Sequence, residues 1–115
     1  MKIGKNTDSL KLLRDFRRVY RKGESCAGGF VVMYAIKNNQ KQNRLGLTVS
    51  TAVGKAVVRS RVKRLIRESY RQIEDKLPTG YDFVAVARNR AADKTLQQIR
   101  RDMEFSLSSL KLIER

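Results

Sequence analysis

Apolar residues recur at helical spacing in three stretches of the chain and alternate, or run on, in three others. From about Ser9 to Arg21, Leu12, Leu13, Phe16, Val19 and Tyr20 fall on one side of a helix. Lys11, Arg14, Arg17, Arg18 and Arg21 fall on the other. Thr7, Asp8 and Ser9 offer N-caps, and Gly23 breaks the pattern soon after. Phe30 to Lys37 is apolar at odd and even positions alike, which predicts a strand buried on both faces. The polar run Asn38 to Asn43 reads as a hairpin loop into a second strand, Arg44 to Ser50, with Leu45, Leu47 and Val49 inward. Gly54 ends that extended segment. Ala56 to about Lys76 predicts the longest helix, with Val58, Val62, Leu65, Ile66, Ser69 and Ile73 as its stripe. Pro78 and Gly80 stop it and make a turn. Tyr81 to Arg88 predicts a strand. Asp93 to about Leu112 predicts a last helix that buries Leu96, Ile99, Met103, Leu107 and Leu110. Helices flanking a sheet with one βαβ passage make an α+β or α/β sandwich. With no repeat, no low-complexity tract and one proline, residues 1–115 read as a single domain.

Composition narrows the chemistry. The chain has 115 residues, of which 41% are hydrophobic, enough for one real core. Lys and Arg number 26 against 11 acids, and there is no histidine, so the formal charge is +15. Without histidine there is no Ser-His-Asp or Cys-His nucleophile and no imidazole metal ligand. The single cysteine, Cys26, excludes an intrachain disulfide and a Cys-rich zinc site, and carries no assigned role. A charge of this size attracts polyanions. No apolar run approaches the ~18 residues of a membrane span, and the first residues lack the apolar core of a signal peptide. A lone thiol suits a reducing cytosol, so the expected location is cytoplasmic, with no membrane partner.

The long predicted helix concentrates that charge. Lys55 to Arg71 holds seven basic residues and one acid, Glu68. Lys63, Arg64, Arg67 and Arg71 lie opposite the apolar stripe, and Arg59 and Arg61 flank it. Like charges at i,i+4 each destabilise an isolated helix by a few tenths of a kcal/mol. A polyanion lying along the helix would offset that repulsion, and arginine forks fit phosphate oxygens.

The block Val49-Ser50-Thr51-Ala52-Val53-Gly54-Lys55-Ala56-Val57-Val58-Arg59-Ser60-Arg61-Val62-Lys63-Arg64-Leu65-Ile66-Arg67-Glu68 resembles the signature of the bacterial ribonuclease P protein subunit. Arg44-Leu45-Gly46-Leu47, Tyr81 to Arg88, and Asp15-Phe16 through Val19 to Gly23 resemble the same family's flanking elements. The likeness runs from about Leu13 to Arg90. Ser60 stands where the family has Asn, Lys55 stands where it has another Asn, and Thr51 and Ala52 replace two frequent lysines.

The resemblance implies a small αβ sandwich like the second domain of a small-subunit ribosomal protein, with a left-handed βαβ crossover through the basic helix. It implies a protein that performs no chemistry itself. A catalytic RNA removes the 5′ leader of precursor tRNA, with magnesium bound mainly by the RNA; the protein binds that RNA and grips the leader. Carried over position by position, the ribozyme contact comprises Lys55, Arg59, Ser60, Arg61, Lys63, Arg64, Arg67 and Arg71. The leader cleft comprises Phe16, Tyr20 and Met33, the last where the family often has an aromatic. No catalytic residue and no metal ligand is assigned, and Asp82 reads as structural. The rival readings are a ribosomal or general RNA-binding protein of the same fold, which would share the charge, and a stand-alone nuclease, which would need clustered carboxylates.

Overall fold

The computed structural model describes residues 2–113. In chain order the elements are β1 (Lys2–Gly4), β2 (Thr7–Ser9), α1 (Leu13–Lys22), β3 (Glu24–Ala27), β4 (Val31–Lys37), β5 (Asn43–Thr48), α2 (Ala56–Ile73), β6 (Tyr81–Ala87) and α3 (Leu96–Ser109). Six strands form one sheet in the order β1-β2-β5-β6-β4-β3. β5 pairs in parallel with both β2 and β6, and the remaining neighbours are antiparallel. α2 is therefore the connection between two adjacent parallel strands.

Helices pack on both sides of the sheet, so β4 and most of β6 are apolar on both faces. Odd positions of β4 and β6 (Val31, Met33 and Ala35; Phe83, Ala85 and Ala87) pack under α2 and α3 with Val62, Ile66, Ile99, Met103 and Leu107. On the opposite side, Leu10, Val19 and Val84 form a smaller cluster with Phe16, Tyr34, Ile36 and Val86, roofed by α1. Gly46 of β5 lets α1 approach, because a Cβ there would stand 2.5 Å from Phe16 Cζ. α3 opens with a capping box: Thr95 Oγ1 accepts from the Gln98 amide, and the Gln98 side chain accepts from the Thr95 amide.

Three sequence expectations are corrected here. α1 begins at Leu13 rather than Ser9, because Thr7–Ser9 is a strand paired with Asn43–Leu45. Leu12 and Leu13 are exposed rather than buried. The loop after β4 does not close a hairpin with β5, since β6 lies between them. The reason is burial: Asp82 to Ala85 of β6 are all shielded, so this strand takes the centre. The β1–β2 hairpin carries little local signal. Its turn is held by Glu74 at the end of α2, whose carboxylate accepts from the amides of Lys5 (2.8 Å) and Asn6 (3.2 Å) and from the Thr7 hydroxyl (2.5 Å).

Candidate nucleic-acid interface

α2 turns Val62, Ile66, Ser69, Tyr70 and Ile73 into the core. This fixes the opposite side outward. Ser60, Arg64 and Arg71 are exposed, and Lys63 and Arg67 are half-buried along their stems. Lys55, Lys63, Arg64 and Arg67 have no ion-pair or hydrogen-bonding partner for their head groups among the described residues, so their full charge faces solvent. The other three arginines are partly spent on the fold. Arg59 Nε donates to the Gly54 carbonyl at 3.2 Å, just before the helix. Arg71 donates to the Ile3 carbonyl at 2.6 Å and pairs with Glu68. Arg61 turns sideways and donates to the carbonyls of Ala92 (3.2 Å) and Lys94 (2.8 Å). It ties α2 to the β6–α3 loop, whose Arg90 and Lys94 sit over the Phe30 ring at 5.5 and 5.0 Å.

The second part of the site lies across the sheet, beside α1. Tyr20 and Tyr34 meet edge to face, their ring centroids 5.0 Å apart, and Phe16 follows at 6.3 Å from Tyr20. Tyr20 Oη hydrogen-bonds Thr48 Oγ1 at 2.6 Å. Tyr20 remains 39% exposed, a large aromatic surface for a ring touching a sheet. Met33 does not belong to this patch. It is fully buried under α2 and α3, and its neighbour Tyr34 occupies the α1 side instead. Both sets of β4 positions are apolar, so alternation alone could not assign a face. The register Tyr34↔Val84, next to Asp82 on β6, decides it.

The aromatic patch and the cationic ridge adjoin. A shallow recess of about 160 Å³, beside β5 where its pairing with β2 ends at Leu45, is lined by Phe16, Leu45 and Leu47 and by Lys63 and Arg67 of α2. A single strand of nucleic acid can thus run from the cations of α2 to the rings beside α1 through the gap where β2 stops short of the end of β5.

Glu68 pairs with Arg71 on α2, whereas Asp15, Asp82 and Asp102 serve the fold rather than this surface. Asp82 accepts from Arg44 (2.9 and 2.7 Å), Arg18 (2.5 Å) and Asn38 (2.9 Å), and Asp15 pairs with the same Arg44 at 3.4 Å. Burial pushes the Asp82 pKa up, but the hydrogen bonds from Arg44 and Asn38 and the charges of Arg44 and Arg18 outweigh it, and the net shift is downward. Asp102 accepts from the amides of Gly29, Phe30 and Val31. These acids anchor α1, α3 and the β3–β4 turn. Among the described residues no three acidic or thiol side chains converge as a metal site. Cys26 is half-buried in β3 and unpaired.

Comparison with known proteins finds relatives along nearly the whole chain. The family model described as Ribonuclease P matches residues 5–111. The ribonuclease P protein component of Alkaliphilus metalliredigens (strain QYMF) is 44% identical over 108 residues, covering 94% of this chain and 97% of that one. The solved RNase P protein of Staphylococcus aureus superposes with a TM-score of 0.83 at 34% identity, covering 92% of this chain and 97% of that one. The RNase P protein of Thermotoga maritima gives a TM-score of 0.78 at 30% identity, over 94% and 99% of the two chains.

Proposed function

This chain belongs to the ribonuclease P protein family, and from that premise we propose how its two surfaces divide the work. It is the non-catalytic protein component of an RNA-based endoribonuclease that matures the 5′ end of tRNA. In this reading the α2 ridge holds the catalytic RNA. Lys55, Lys63, Arg64 and Arg67 supply the phosphate contacts, and Ser60 adds a hydroxyl among them. Arg59, Arg61 and Arg71 keep the ridge and its neighbouring loops in place while adding to its field. Tyr20 and Tyr34, with Phe16 behind them, take the leader of precursor tRNA by stacking, worth about 1–3 kcal/mol per base. Rings accept any base, which suits a leader of variable sequence. Magnesium is assigned to the RNA, and the chain is read as a single RNA-binding domain working in the cytoplasm.

The observation that carries this reading is the adjacency of four unpaired cations on α2 and an aromatic pair whose Tyr20 is exposed, on opposite sides of one sheet and joined by the recess beside the end of β5. The test is reconstitution. Added to a bacterial ribonuclease P RNA at low magnesium, the chain should restore leader removal, and alone it should cleave nothing. Cleavage by the RNA-free protein, or no rescue, would overturn the proposal.

A further inference from the structure

α1 carries a second concentration of charge that the two surfaces above do not use. Between Lys11 and Lys22 there are six basic residues and one acid, Asp15. The fold consumes the acid, because Asp15 faces Arg44. It also consumes one base, because Arg18 is drawn in to Asp82. What remains outward is a row. At 100° per residue Arg14, Arg17 and Arg21 share an arc of about 60° on the side away from the sheet. All three are exposed, and none has an ion-pair partner among the described residues. Around the circumference of α1 the order is Phe16, then Tyr20 and Leu13, then Arg17, Arg21 and Arg14. Leu13 is 64% exposed and continues the apolar flank beside Tyr20. The row is therefore continuous with the rim of the aromatic patch and lies on the far layer from α2.

We propose that this outer face of α1 is an additional RNA-backbone contact, taking the phosphates of the leader upstream of the bases stacked on Tyr20 and Tyr34. The inference rests on the leader reading of that patch. A strand that leaves the rings over Tyr20 meets Arg17 and Arg21 first and Arg14 last, along about 15 Å of helix for ten residues. The occupant is single-stranded, because a duplex could not reach both the rings and the outer side of the same helix.

The experiment uses the reconstituted holoenzyme and two precursor tRNAs, one with a leader of about 4 nucleotides and one of about 16. The variant is Arg14→Gln/Arg17→Gln/Arg21→Gln. A control, Lys37→Gln/Lys41→Gln/Arg101→Gln, removes the same charge elsewhere. Three phosphate contacts to a single strand steepen the salt slope by about 2, so over a fourfold change in salt they matter by roughly tenfold or more. The triple variant should lose about tenfold of the affinity that the long leader adds in low salt. Its short-leader affinity should stay within about twofold, and the control should change neither. An undiminished long-leader advantage would sink the proposal, and so would equal losses with both leaders, which would place the face against the ribozyme. Tyr34→Ala separates the two levels. If it abolishes leader discrimination while the triple variant does nothing, only the α1 extension fails; if Tyr34→Ala does nothing, the cleft reading fails as well.

Discussion

Asp82 receives four hydrogen bonds, two from Arg44 and one each from Arg18 and Asn38, with none of its surface exposed. Each donor comes from a different element, so the carboxylate fastens α1 and β5 to β6. Its lowered pKa means that the folded state favours the charged form. The stability it contributes is present above the ordinary carboxylate value of about 4 and is lost as pH falls through the lowered one. Asp82→Asn leaves two guanidinium groups without their buried counter-charge and should cost about 3 kcal/mol in urea unfolding at pH 7. The difference from the native protein should shrink as pH falls below about 4. Equal stability at pH 7 would remove Asp82 from its anchoring role. Tyr70 shifts in the opposite sense. Burial beneath the β1–β2 hairpin holds its pKa at about 12, so its contribution is intact below pH 10 and disappears as pH rises through 12. An absorbance titration that shows this tyrosine ionising near 10 in the folded protein would contradict its burial.

Within α2, chemically identical side chains separate into two classes. Arg64 points away from everything, and Arg61, on one flank of the helix, is bound to two carbonyls. Arg64→Ala should weaken RNA binding and reduce the salt slope by about 1 while leaving the unfolding midpoint in place. Arg61→Ala should release residues 92–94, lower stability by about 1–2 kcal/mol and speed amide exchange in that loop. If Arg61→Ala left loop exchange unchanged and weakened RNA binding as Arg64→Ala does, the clamp would be wrong. The helical stripe of α2 could be read directly from spacing, because an amphipathic helix fixes its own faces. The bonds that occupy Arg61 could not, since they depend on where a loop some thirty residues later comes to rest.

Across the whole molecule, one sheet keeps two different surfaces apart. Met33 and Tyr34 are consecutive, yet one lies in the core under α2 and α3 and the other lies in the aromatic patch under α1. Tyr34→Ala should lower affinity for leader-bearing precursor by roughly tenfold, while affinity for mature tRNA stays level. Met33→Ala should instead cost about 2–5 kcal/mol of stability from a buried site, with no selective loss of leader binding. The reverse pattern, measured by paired binding and unfolding curves, would exchange their roles.

Local patterning determined the three helices, the long strands, the cationic ridge and its outward direction, because periodicity and charge act within a few turns of chain. Tertiary structure alone decided that β6 separates β4 from β5, that Glu74 makes a hairpin of the first residues, and that Tyr34 rather than Met33 joins Phe16 and Tyr20. Each of these rests on the register and order of strands far apart in the chain. A strand that is apolar on both faces holds no local record of which side it will show to which helix.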